Sequence, residues 1–124
     1  MKIILWSLIL FSVACSSTAQ LFLKTGMSQR PVVSAFAGGE AVPVVLSIAQ
    51  NLWILGGLAL YFLGAVVWLF VLAKVEVSYA YPFVGLGFVL TLLLGKLVMG
   101  DNITLARAMG TVLITAGVVM IARQ

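Results

Sequence analysis

The sequence contains no histidine, a single cysteine and only three acidic residues. Without histidine, neither a Ser-His-Asp triad nor a histidine-ligated zinc site can form, and one cysteine makes neither an internal disulfide nor a redox pair. The sequence also lacks a glycine-rich loop followed by Lys and Ser or Thr, the pattern that binds nucleotide phosphates. We therefore expect neither an enzyme nor a protein that carries a metal or another cofactor.

Charge of either sign is scarce. Charged residues make up 8% of the chain and hydrophobic residues 64%, a balance that cannot cover the surface of a soluble domain. The net charge of +4 is spread singly along the chain, which suits membrane edges and anionic lipid head groups rather than nucleic acid. The composition predicts an integral membrane protein with no nucleic-acid partner.

Long apolar runs dominate what is present, and each is long enough for a helix to cross the hydrocarbon core. Backbone amides in hydrocarbon must be bonded internally, and the runs lack the period-two alternation of a barrel strand. The sequence therefore predicts an all-α membrane protein in which residues 1–124 form one domain of four transmembrane helices. The expected spans are residues 3–23, 52–72, 77–99 and 103–121.

The connections between the spans differ in length. The last two are very short and predict antiparallel helical hairpins. Because the number of spans is four, both termini share one side of the membrane. The first, residues 24–43, is longer and rich in Gly and Pro, around an apolar piece that suits the membrane interface. Because a helix continued back to Pro43 would exceed the bilayer, we expect tilt, protrusion or a break near Gln50 and Asn51. Lys and Arg divide three against four between the two sides, which does not define the orientation.

The first span also has features of an export signal, with Cys15 as a lipidated residue. A signal has an apolar stretch of roughly 7 to 15 residues, whereas here the apolar run resumes after Gln20 and completes a full span. A lipoprotein signal usually has Leu three places before the cysteine, where this chain has Ser12. We favour a membrane helix in which Cys15 is a small packing residue.

A polar stripe follows one face of this helix, because Ser12, Ser16, Gln20 and Lys24 are spaced by four. Polar groups in membrane helices face other helices or a wet cavity. Two interpretations remain open. The stripe could provide hydrogen bonds between helices, or Gln20 and Lys24 could hold a sugar or a phosphate.

No carboxylate lies inside a predicted span, because Glu40, Glu76 and Asp101 all fall in connections or at helix ends. A proton-driven exporter of cationic drugs needs an intramembrane carboxylate for which proton and drug compete. The sequence provides no such group.

Two segments, "SYAYPFVGLGFVLTLLLGKLVMGD" and "GTVLITAGVVMIA", resemble the drug/metabolite transporter superfamily, in its four-helix small multidrug resistance-like (EamA-like) members. Together with "AQLFLK", the "AYPF" segment resembles the aminoarabinose-lipid (undecaprenyl-phosphate) flippase subunits, which carry Gln and Lys at the positions of Gln20 and Lys24. The resemblance implies a small antiparallel or pseudo-symmetric dimer in the bacterial inner membrane. Its first three helices would surround a chamber, and its fourth would form the dimer contact.

The chain departs from the multidrug exporters at three positions. Ser16 stands where they carry an essential Glu, Phe83 where they carry a chamber Trp, and Ala80, between Tyr79 and Tyr81, where they carry a Tyr. These differences disfavour drug antiport and leave transport of a lipid-linked sugar open.

Several other residues have a functional and a structural interpretation. Lys96 and Arg107 lie near helix ends, where they could bind a phosphate or extend to the interface. Gly85 and Gly87 could form a conformational hinge, and Gly110 and Gly117 a dimer contact, or all four could serve packing alone. Trp53, Tyr61 and Trp68 of the second span are interpreted as interface or packing residues. The predicted substrate-binding residues are Ser16, Gln20, Lys24, Tyr79, Tyr81, Lys96 and Arg107.

These features favour a transporter subunit that moves a polyprenyl-phosphate-linked sugar, as a homodimer or with a related small subunit. An exporter of small cations is one alternative, and it predicts tolerance to toxic cations and proton-coupled uptake. A non-transporting accessory subunit of a glycosyltransferase complex is another. It predicts that alanine at Gln20 or Lys24 is tolerated, whereas bulky residues at Gly110 or Gly117 are not.

Overall fold

A computed structural model describes residues 2–124, and every regular element in that range is helical. The third span is composite, since it passes from a short α-helix through a 3-10 turn into a longer α-helix and ends in a π-helix. In chain order the elements are α1 (Lys2–Met27), α2 (Arg30–Gly38), α3 (Ala41–Ala49), α4 (Leu52–Leu72), α5 (Val77–Ala80), the 3-10 turn (Tyr81–Val84), α6 (Gly85–Leu94), the π-helix (Gly95–Met99) and α7 (Leu105–Ala122).

Within residues 2–124, four helices are long and apolar enough to cross a membrane, which confirms the predicted architecture. The first span continues to Met27, four residues beyond the predicted end, so Lys24 lies in its last helical turn. The last span begins at Leu105, because the Thr104 side chain accepts a hydrogen bond from the Arg107 amide and caps the helix there. The helix-length spans occupy Lys2–Met27, Leu52–Leu72, Val77–Met99 and Leu105–Ala122.

The first connection folds into the two short helices α2 and α3. Gly39, at a φ of 73°, ends α2 in the left-handed conformation that glycine adopts without strain. Helix α3 stops before the second span, at the expected place. Asn51 starts α4 by accepting a hydrogen bond from the Ile54 amide at 3.2 Å, and its side-chain nitrogen donates to the Gly26 carbonyl at 3.3 Å. One asparagine therefore joins the end of α1 to the start of α4.

Helices α1 and α4 form the most extensive helix pair of the molecule. Small residues line their contact: a Cβ atom at Gly64 would lie 3.2 Å from the Cβ of Cys15 and 3.2 Å from the Ser12 carbonyl oxygen. The Ser12 hydroxyl donates a hydrogen bond to the Gly64 carbonyl at 2.8 Å. Cys15 is thus a buried packing residue, and close backbone approach holds the pair together.

The apolar core lies toward the end of the bundle that holds both termini. Trp6 and Phe83 meet edge to face with ring centroids 4.9 Å apart, which ties α1 to the 3-10 turn of the third span. Lys2, Lys74 and Arg123 line one pocket at this end, which agrees with the prediction that the termini share a side. The buried core consists of Ile9, Val13, Val71, Ala80, Phe83 and Val118.

Candidate functional site

A small cleft opens between α1, α4 and the third span, and most of its lining is polar or glycine. We call it the polar cleft. Its volume is about 100 Å³. It is the place where the polar stripe of α1 meets the rest of the bundle. The polar cleft is lined by Ser16, Ser17, Gln20, Tyr61, Val84, Gly87, Phe88 and Thr91.

Gln20 and Tyr61 form a hydrogen bond across the polar cleft, in which the Gln20 amide nitrogen donates to the Tyr61 hydroxyl oxygen. This bond leaves the second amide proton and the carbonyl oxygen of Gln20 free, as well as the hydroxyl proton of Tyr61. The pair therefore offers two donors and an acceptor without carrying a charge. Such a group can bind sugar hydroxyls or an amine.

The serines of α1 divide between bonds within the helix and bonds between helices. Ser16 donates to the carbonyls of Ser12 and Val13, at 3.2 and 3.0 Å, so its proton is used inside α1. Ser17 donates to the Gly87 carbonyl at 3.3 Å and fastens α1 to the third span. Hydrogen bonds between helices, the first interpretation, are therefore present at Ser12, Ser17 and Gln20, whereas binding of a sugar or phosphate stays a prediction. Ser12 joins two helices, whereas Gln20 lies in the polar cleft.

Three of the predicted cations lie outside the polar cleft and are exposed. Lys24 follows Gln20 by one helical turn, about 6 Å along the axis of α1. Lys96 lies in the π-helix that ends the third span. Arg107 begins α7, and its guanidinium donates to the Asn102 carbonyl at 3.0 Å. All three residues therefore lie at the membrane edge where α1 ends, one turn or more beyond Gln20.

Tyr79 and Tyr81 are not brought together with the α1 stripe. Tyr79 lines the pocket at the terminal end, and Tyr81, 65% exposed, lines an apolar groove against α7. Side chains two residues apart on a helix are separated by about 200° around its axis, so Tyr79 and Tyr81 cannot both face the same cavity. The tyrosine that lies beside Gln20 is Tyr61.

Tyr61, Ser17 and Thr91 were not among the predicted site residues, yet they line the polar cleft. Tyr61 was expected to be an interface or packing residue. Its only signal was its position as a hydroxyl-bearing residue near the middle of an apolar span. Helix α4 is apolar around its whole circumference, so its sequence does not indicate which face meets α1.

The predicted hinge and contact glycines have different surroundings. A Cβ atom at Gly85 would lie 2.8 Å from the Cγ2 atom of Ile114, and one at Gly87 would lie 3.3 Å from the Ser17 hydroxyl oxygen. Both therefore allow close approach to a neighbouring helix. Gly110 and Gly117 have open space where a Cβ would stand. Their side of α7 is thus not used for packing within the chain.

All three acidic residues lie at the ends of helices and are exposed. Glu40 immediately precedes α3, Glu76 immediately precedes α5, and Asp101 follows the π-helix. The polar cleft therefore contains hydrogen-bonding groups but no carboxylate.

Comparison with known proteins finds relatives that are named as flippase subunits. The chain is 38% identical over 85 residues to a "probable 4-amino-4-deoxy-L-arabinose-phosphoundecaprenol flippase subunit ArnE" of Pseudomonas savastanoi, covering 68% of this chain and 75% of the relative. It is 32% identical over 126 residues to a flippase subunit ArnF of Photorhabdus laumondii, covering 99% and 98%. An ArnF of Serratia proteamaculans is 31% identical over 120 residues, covering 91% and 88%. No family model and no solved structure matches the chain.

Proposed function

We propose that this chain, which belongs to the family of 4-amino-4-deoxy-L-arabinose-phosphoundecaprenol flippase subunits, is one subunit of a carrier in the bacterial inner membrane. The carrier moves a polyprenyl-phosphate-linked sugar from one leaflet to the other. The observation that carries this proposal is the uncharged Gln20–Tyr61 pair in a cleft that contains no acid.

The chemistry of the polar cleft suits the sugar part of such a lipid. Hydroxyl groups of a sugar need donors and acceptors, which the pair supplies, and an amino sugar could donate from its ammonium group to the Gln20 carbonyl oxygen. The phosphate would stay at the membrane edge, where Lys24 with Lys96 or Arg107 supplies positive charge. The isoprenoid tail would remain in the surrounding lipid.

One chain does not enclose enough space for this ligand. Ligand pockets usually measure about 300–1,000 Å³, whereas the polar cleft measures about 100 Å³. The small-residue side of α7 at Gly110 and Gly117 is unoccupied within the chain, and such surfaces allow membrane helices to pack closely. We infer that a second copy or a related small subunit docks there and enlarges the chamber.

The absence of an acid in the polar cleft argues against exchange of protons for cationic drugs. The chain also carries no nucleotide-binding motif. Movement of the lipid would then follow its own gradient or a coupled ion.

A vesicle assay tests the proposal directly. The full chain, alone or with a co-expressed related subunit, is reconstituted with 4-amino-4-deoxy-L-arabinose-phosphoundecaprenol in one leaflet. Arrival of the sugar in the other leaflet is measured with an amine-reactive reagent that does not cross the bilayer. Loss of one hydrogen bond to a charged group corresponds to about a tenfold loss of rate, and we expect this for Gln20→Ala. Tyr61→Phe should also slow the movement, because it removes only the hydroxyl group.

Ser7→Ala is the matched control, since the Ser7 hydroxyl is exposed and bonds only to the Ile3 carbonyl of its own helix. Full activity of Gln20→Ala and Tyr61→Phe would contradict the proposed role of the cleft and favour an accessory subunit. Proton-coupled uptake of an organic cation in the same vesicles would favour the exporter instead.

A further inference from the structure

A second and larger pocket lies at the end of the bundle that holds both termini. We call it the terminal pocket. Its volume is about 600 Å³, and its walls come from the start of α1, the connection after α4 and the end of α7. Lys2 and Lys24 are 22 residues apart on α1, which places this pocket about 33 Å from the opposite membrane edge. It is therefore separate from the polar cleft and its rim.

Positive charge is concentrated in the terminal pocket. Lys2, Lys74 and Arg123 line it together with one acidic side chain, Glu76, so cationic side chains outnumber acidic ones by two. The three cations are distant in sequence and are exposed, and only the fold unites them. An arginine guanidinium group donates two parallel hydrogen bonds to the oxygens of a phosphate, and a lysine ammonium group adds a positive charge on a flexible side chain. This combination suits a phosphate group.

The floor of the terminal pocket is apolar and aromatic, with Leu5, Trp6 and Tyr79 among its lining residues. Trp6 packs edge to face on Phe83 at 4.9 Å, and Tyr79 packs on the same ring at 5.3 Å, so both aromatic side chains are held in place. Aromatic residues at the ends of membrane helices lie at head-group depth. A small soluble anion has no apolar part to pack against this surface, whereas the first carbons of a lipid chain can pack against it.

We propose that the terminal pocket binds the phosphate of an anionic lipid, with the cations on the phosphate and the aromatic floor against the adjoining apolar carbons. A bilayer phospholipid with a negatively charged head group has this chemistry. The proposal concerns binding at the terminal end only, and it does not depend on which molecule the polar cleft carries.

Native mass spectrometry of the full chain in non-ionic detergent tests the proposal, with phosphatidylglycerol as the probe. Diacylglycerol with the same acyl chains serves as the phosphate-free comparison. Each cation near a membrane surface contributes about fivefold to the affinity for an anionic lipid, so we expect this loss for Lys74→Gln and for Arg123→Gln. Lys74→Arg should retain binding because it keeps the charge.

Arg30→Gln is the matched control, because it removes one positive charge at the opposite end and should leave the affinity unchanged. Circular dichroism and gel filtration verify that each variant is folded. Equal affinity of Arg30→Gln, Lys74→Gln and Arg123→Gln would overturn the proposal, as would equal binding of diacylglycerol and phosphatidylglycerol. Glycerol 3-phosphate at millimolar concentration should not displace the lipid, and displacement would refute the role of the apolar floor.

Discussion

Replacing Gly57 with alanine should push α1 and α4 apart. The new Cβ atom would lie 2.9 Å from both Cγ and Cδ2 of Leu23 and 3.1 Å from the Ala19 carbonyl oxygen. The Cγ atom of Leu23 lies only two bonds from the backbone of α1, and the Ala19 carbonyl is part of that backbone. Neither atom can therefore move far unless α1 shifts. Overpacking of this kind usually costs about 1–3 kcal/mol.

The neighbouring Gly56 provides a matched control. A Cβ atom at Gly56 would lie 3.3 Å from the ring of Phe22, a side chain that can rotate slightly away. Alanine is favoured over glycine in a helix by up to about 1 kcal/mol, and this gain is the same at both positions. The difference between the two variants therefore isolates the steric cost, and we expect Gly57→Ala to be less stable than Gly56→Ala by about 1–3 kcal/mol.

Reversible unfolding in mixed micelles with increasing dodecyl sulfate, followed by far-ultraviolet circular dichroism, measures this difference. The vesicle assay provides a second readout. Gly57 lies one turn before Tyr61, and Ala19 is adjacent to Gln20, so a wider helix pair should also weaken the Gln20–Tyr61 bond and slow transport. Equal unfolding free energies for the Gly56→Ala and Gly57→Ala variants would refute the close-packing argument.

Three further predictions address other contacts. Ser12→Ala should lower the free energy of unfolding by about 0.6–1.5 kcal/mol, because it removes the interhelical hydrogen bond that the Gly64 carbonyl accepts in addition to its bond within α4, and the same micelle titration measures this. Asn51→Ala should lower it by about 1 kcal/mol more than Asn51→Asp, because both variants lose the bond to the Gly26 carbonyl but only Asn51→Ala also loses the α4 cap, and equal losses would contradict the capping role. Gly110→Leu should leave unfolding of the single chain nearly unchanged but reduce cross-linking between subunits in the membrane, and persistence of the cross-link would exclude this side of α7 as the contact.

The architecture of four spans could be predicted because hydropathy over a helix-length segment is a local property. The ends were less predictable. The Gly and Pro content of residues 24–43 predicts that regular structure breaks there, but Gly26 lies inside α1, where a Cβ atom would come within 2.8 Å of the Asn51 side-chain oxygen. The sequence alone does not show whether a glycine permits close approach between helices or ends a helix. Only the position of the neighbouring helix distinguishes the two cases.

The candidate site could be predicted from the side of α1 but not from the side of α4. Spacing by four places Gln20 on a polar stripe, whatever its neighbours are. Its partner, Tyr61, belongs to a helix without a polar face, so its direction depends on the packing of Gly57 and Gly64 against α1. Tyr79 and Tyr81, the tyrosines predicted to bind substrate, are close in sequence but lie on different sides of the third span.

The mixed winding of the third span has a geometric consequence. A 3-10 helix advances about 120° per residue and an α-helix about 100°, so rewinding the four residues Tyr81–Val84 as α-helix would rotate everything beyond them by about 80°. The surface that now meets Ser17 at Gly87 would then face another neighbour, while the segment that carries Tyr79 kept its direction. A change in the pitch of this one turn would therefore rotate the part of the third span near one membrane edge relative to the part near the other edge.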